Sequence, residues 1–69
     1  MVKRFVDNDR TIKYYNENNQ LHRDDGPAII DPDGRKAWCL NGKDYSFNEW
    51  IKSVNLNGEE KMELIFYYG

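Results

Sequence analysis

His22, Arg23, Asp24 and Asp25 stand side by side, the densest run of titratable groups in this chain of 69 residues. An imidazole can serve as a general base, paired carboxylates can hold a hard cation, and a guanidinium can clamp a phosphate or carboxylate. Adjacent acids in a turn point in different directions, however, and the chain has no second histidine. The preferred reading is structural. His22 hydrogen-bonds across the repeat, and Asp24 or Asp25 accepts backbone amides around the Gly26-Pro27 turn.

Two other groups invite chemistry. Asp31 and Asp33 flank a proline, but a calcium loop of the EF-hand kind needs twelve positions and a closing glutamate, and Asp31 to Gly34 is a four-residue hairpin turn. Cys39 lies between Trp38 and Leu40 with no histidine at a motif spacing, so a buried or half-buried strand thiol is expected rather than a nucleophile. As the single cysteine it forms no intrachain disulfide and no cysteine-based zinc site, which is simplest in a reducing compartment. No catalytic residue, metal or cofactor is assigned, and the chain is not read as an enzyme.

The elements around these residues follow from pattern. One domain is expected over 1–69, with hairpin units over 1–45 and a two-helix part over 46–69. So short a chain buries only about 60% of its unfolded surface. Its aromatics, 14% of the chain, are the side chains large enough to close the core. Val2 to Val6 and Thr11 to Tyr15 read as strands around Asp7-Asn8-Asp9. Ala28-Ile29-Ile30 follows Gly26-Pro27, and Arg35 to Leu40 returns after Asp31-Pro32-Asp33-Gly34. Asn41-Gly42 is a strong hairpin signal before Lys43 to Tyr45.

The period then changes. Ser46 to Glu49 has capping-box spacing, and Phe47, Trp50, Ile51 and Val54 make one helical face. Asn57 begins a weaker cap, and Met62, Ile65 and Phe66 mark the apolar face expected for a second helix. The fold expected is α+β: a small antiparallel meander followed by two short helices.

A repeat is visible at an offset of 23 residues. It aligns Lys13-Tyr14-Tyr15 with Lys36-Ala37-Trp38, Asp9-Arg10 with Pro32-Asp33, and Asn18-Asn19 with Asn41-Gly42. Tyr15 and Trp38 are therefore expected in equivalent packed sites, with Asn19 taking the left-handed turn position that Gly42 takes.

The residues Leu21, His22, Arg23, Asp25, Gly26, Pro27 and Ala28, then Gly34, Trp38, Asn41 and Gly42, resemble a repeat of the form N-G-K-L-H-R-x-D-G-P-A. That repeat occurs in small proteins of bacteriophages and bacteria and looks like a distant variant of the MORN-type β-hairpin repeat. The resemblance covers about residues 10 to 45, and the tail from Tyr45 is similar to the helical end such phage proteins carry. It implies a β-meander and a phage accessory protein that binds and redirects or inhibits a host or defence protein.

Charge narrows the partners. Twelve acids against ten bases give a net charge of −2, with seven of each sign over 1–36 and five acids against three bases over 37–69. Neither half is a basic surface, so nucleic acid is not the favoured partner. Lys3, Arg4, Arg10 and Lys13 beside tyrosines keep it as the alternative. The amino terminus has two cations but no apolar run behind them, and no segment is long enough to span a membrane, so a cytoplasmic location is expected. The strongest functional signal is Phe66-Tyr67-Tyr68. Three consecutive aromatics cover most of a helix circumference, so at least one faces outward. With Glu59, Glu60 and Glu63 they form the proposed partner surface, the exposed face of the hairpins being the other candidate, and self-association through that tail or an edge strand is the further alternative.

Overall fold

The computed structural model describes residues 2–68. Five strands, β1 (Lys3–Val6), β2 (Ile12–Tyr15), β3 (Ile29–Ile30), β4 (Lys36–Leu40) and β5 (Lys43–Tyr45), form a sheet in chain order, every pair antiparallel. Two helices follow, α1 (Phe47–Ser53) and α2 (Gly58–Tyr68). This is the small α+β meander that the alternation and turn signals predict.

The turns explain the register. In the first, Asp7 N–H donates to Thr11 O at 2.9 Å and Arg10 N–H to Asp7 O at 3.0 Å; in the third, Asp31 N–H donates to Arg35 O at 2.8 Å and Gly34 N–H to Asp31 O at 3.0 Å. Asp9 and Asp33 each accept the amide two residues on. Thr11 thereby holds the Asp9 carboxyl below its ordinary pKa. Arg10 (φ 72°) and Gly34 (φ 95°) occupy the same left-handed position. Arg10 tolerates there what glycine adopts freely.

These two turns are 24 residues apart, one more than the sequence alignment gives. The ladder agrees. Ile12 pairs with Ile30 and Ile30 with Lys36, while Lys13 pairs with Ile29 and Ile29 with Ala37. The 24-residue spacing makes Tyr14, not Tyr15, the counterpart of Trp38, so the expected Tyr15–Trp38 equivalence is corrected by one residue. A one-residue slip exchanges the faces of a strand: Tyr14 shares the face of Trp38, and Tyr15 lies half-buried on the other. The 23-residue spacing does hold at the next turn, where Asn19 (φ 58°) and Gly42 (φ 82°) both take the left-handed position. The extra residue of the first interval is absorbed between those turns.

One face of the sheet carries the core. Trp38 is buried with Trp50, Ile51 and Val54, and Leu40, Tyr45, Phe47, Leu56, Leu64 and Tyr68 pack around them. Trp38 is the centre of the aromatic cluster: its ring lies 4.6 Å from Trp50, 4.8 Å from Phe47 and 5.1 Å from Tyr68. Such tilted and edge-on pairs add about 0.5–1.5 kcal/mol each beyond area burial.

Helix α1 forms as its cap dictates. Ser46 Oγ accepts from Glu49 N–H, and Glu49 reaches back to the Ser46 amide. On the expected face Trp50 and Ile51 are buried, as is Val54 at the C-cap, with Phe47 half-buried beside them. Asn57 caps α2 in the same way, its Oδ1 accepting from Glu60 N–H at 2.8 Å.

Helix α2 departs from its expected orientation. Leu64 and Tyr68 face the core, while Met62, Ile65 and Phe66 face outward. Two apolar stripes compete on this helix. The stripe with Leu64 and Tyr68 one turn apart reaches Trp38 and wins, and no α2 residue is fully buried. The helix is attached along one narrow seam.

Trp50 tests the core directly, because its ring is fully buried and its indole N–H donates to Arg23 O at 2.9 Å. Trp50→Phe keeps an aromatic ring and orphans that carbonyl, so a loss of about 1–3 kcal/mol is expected in urea denaturation. Trp50→Ala should cost about 3–5 kcal/mol, enough to unfold much of a chain this size.

Candidate functional site

The segment Leu21-His22-Arg23 joins the two halves of the sheet. Leu21 forms a bridge to Tyr15, and His22 N–H donates to Tyr14 O at 3.0 Å, which ties the segment to β2. On its other side Arg23 N–H donates to Cys39 O at 3.1 Å, and Leu21 O accepts from Gly42 N–H at 2.8 Å. His22 Nδ1 accepts from Asn41 N–H at 3.0 Å. The nitrogen that a general base would use is thus engaged with the β4–β5 turn.

Arg23 is equally committed. Its Nε donates to Asp25 Oδ1 at 2.8 Å, its terminal nitrogen to Pro27 O at 3.2 Å, and its guanidinium lies 4.1 Å from the centre of the Tyr14 ring. Gly26 makes room for it, since a Cβ there would come 2.7 Å from Arg23 Cζ. Asp24 is exposed, and Asp25 meets Arg23 alone among the described residues. The motif Leu21, His22, Arg23, Asp25, Gly26 and Pro27 is a structural clasp, with Trp38, Asn41 and Gly42 on the hairpin it holds. Gly34 stands apart in the β3–β4 turn.

Among the described residues, no three histidine, cysteine, aspartate or glutamate side chains come together as a metal site. Asp33 pairs with Arg35, and Asp31 uses its backbone to close the hairpin. Cys39 is buried and donates its thiol to Asp44 Oδ1 at 3.1 Å. Burial first, then the Asp44 carboxylate, pushes the thiol up to about 12 from an ordinary value of 9.0.

The exposed surface of α2 is different. Phe66 is 93% exposed, Tyr67 77% and Met62 73%, with Ile65 half exposed. Helical spacing puts Glu59 and Glu63 on the same side as Met62 and Phe66. Tyr68, counted with the partner surface on sequence, instead turns inward in an edge-on contact with Trp38, with the Tyr67 ring tilted against it at 4.6 Å. The outward aromatics are therefore Phe66 and Tyr67, and the sequence missed Met62, which it placed on the packed face.

A second exposed feature joins Lys3 and Arg4, which the sequence offered beside tyrosines for nucleic acid, to Phe5, which it did not single out. Beside β1, Lys3, Arg4, Phe5, Tyr15 and Asn19 line a shallow groove of about 410 Å³. Alternation of β1 and its pairing with β2 could have placed Lys3, Phe5 and Tyr15 on one face.

No family model, curated protein or solved structure matches the chain. No helix among the described residues is long and apolar enough to cross a membrane.

Two outcomes test this geometry. Arg23→Ala and Gly26→Ala should each destabilise by about 1–2 kcal/mol, but the second substitution should cost far less once Arg23 is gone, giving a coupling of about 1 kcal/mol in a double-mutant cycle. Cys39 should resist iodoacetamide at pH 8 until the chain unfolds. The unfolded thiol ionises before the folded one, so stability should fall as pH rises from about 9 towards about 12, an effect that Cys39→Ser removes.

Proposed function

We propose that this protein is a non-catalytic binding protein whose interface is the outer face of α2. The exposure of Phe66 and Tyr67 carries the reading. Contiguous aromatics rimmed by carboxylates are the composition of an interface centre with a polar border. The seam formed by Leu64 and Tyr68 fixes the helix, so the outward side chains are presented from a defined backbone rather than from a free tail. The engagement of His22 and Arg23 in the clasp favours binding over catalysis, because neither group is left to act on a substrate.

The mechanism is occlusion. Phe66, Tyr67 and Met62 enter apolar pockets of the partner and desolvate, while Glu59 and Glu63 meet basic groups at its rim and set orientation. In the reading implied by the phage-type repeat, the occluded surface belongs to a host or defence protein and the outcome is its inhibition or redirection.

A Phe66→Ala/Tyr67→Ala variant tests this. Both residues are exposed, so its urea midpoint should change by no more than about 0.5 kcal/mol in stability. In a tagged capture from cells, read by mass spectrometry, the partner held by the wild type should be lost. Retention of every wild-type partner by the folded double variant would remove α2 as the interface.

A further inference from the structure

The sheet presents an open hydrogen-bonding edge. Strand β1 is the first strand of the sheet, and all four of its residues are exposed. Its pairing with β2 decides which backbone groups are free. The closing pair Asp7–Thr11 is hydrogen-bonded. Antiparallel pairs alternate, so Phe5–Lys13 and Lys3–Tyr15 bond inward. The amides and carbonyls of Arg4 and Val6 therefore point to the outer edge.

The side chains along this edge are not uniform. Phe5 is 56% exposed and Val6 50%. Phe5 shares the face of Lys3 and Tyr15 and borders the groove. Lys3 and Arg4 have no ion-pair partner among the described residues, in contrast to Lys13, whose ammonium sits 3.1 Å from Asp7. The edge is apolar at one end and cationic at the other, one of each on each face of the sheet.

We propose that β1 accepts an extended acidic peptide segment as a sixth, antiparallel strand. The register follows from the side chains. Read from its amino end, the incoming strand carries an apolar residue opposite Val6, an apolar residue opposite Phe5, an acid opposite Arg4 and an acid opposite Lys3. The pairs opposite Arg4 and Val6 exchange backbone hydrogen bonds. The residue opposite Phe5 lies in a non-hydrogen-bonded pair, where side chains approach more closely, and enters the groove beside Tyr15. Main-chain bonds supply affinity, and the groove and two cations supply selection. A second copy of this chain fits less well: with its β1 antiparallel and the outward Arg4 and Val6 paired with each other, Arg4 meets an apolar Val6, and Lys3 meets an Asp7 already engaged by Lys13. The inference is independent of whether α2 binds anything.

The test uses a blocked synthetic peptide containing Ile-Val-Glu-Glu between glycines, titrated into the isotopically labelled full chain and followed by amide shifts. The outward amides of Arg4 and Val6 should move more than those of Lys3 and Phe5. A peptide with Lys-Lys in place of Glu-Glu should bind at least tenfold more weakly. Val6→Pro removes an outward donor without touching a β2 bond and should weaken binding at least tenfold. Lys3→Glu/Arg4→Glu, which keeps every backbone group, should abolish binding with the aromatic circular dichroism unchanged; it decides the matter if the proline variant fails to fold. Equal binding of the two peptides, no larger shift at Arg4 and Val6, or a free protein that sediments as a dimer with those amides already protected from exchange would overturn the proposal.

Discussion

The position of Arg23 governs much of this molecule. Its guanidinium is held over Tyr14, joined to Asp25 and to the Pro27 carbonyl, and its own carbonyl takes the indole proton of buried Trp50. One residue thus ties β2, the entry to β3 and α1 together. The arrangement depends on Gly26 lacking a side chain. In a chain that buries only about 60% of its surface, apolar area alone leaves a small margin, so a satisfied polar joint between sheet and helix matters disproportionately.

The clasp also shows how a cluster rich in acid, base and imidazole is taken up by bonds within the fold. Catalytic groups must converge on a vacancy where a substrate can sit. Here His22 accepts a backbone amide, Arg23 is enclosed by its own turn, and the carboxylate that approaches it, Asp25, neutralises it. The same polar richness that reads as a site in one dimension closes a loop in three. The large apolar side chains left exposed lie on the outer face of α2 and along the free edge of β1. One is anionic around aromatics, and the other is cationic around apolar side chains.

The sequence by itself determined the strands, their turns and the capped first helix. Those rest on local chemistry: Asp and Asn closing their own turns, Asn41-Gly42 adopting positive φ, Ser46 and Glu49 exchanging bonds, and a single continuous apolar stripe from Phe47 to Val54. Tertiary structure decided three things that no local pattern contains. Strand register made Tyr14 the counterpart of Trp38, because one extra residue between similar turns exchanges faces. Contact with Trp38 chose the Leu64/Tyr68 stripe of α2 over the Met62/Phe66 stripe, since both satisfy helical periodicity and only one reaches the aromatic cluster. The enclosure of Arg23 by Tyr14, Asp25 and Pro27 turned a candidate anion clamp into a joint, because burial and partners are properties of where other segments arrive, and the residue types alone do not carry them.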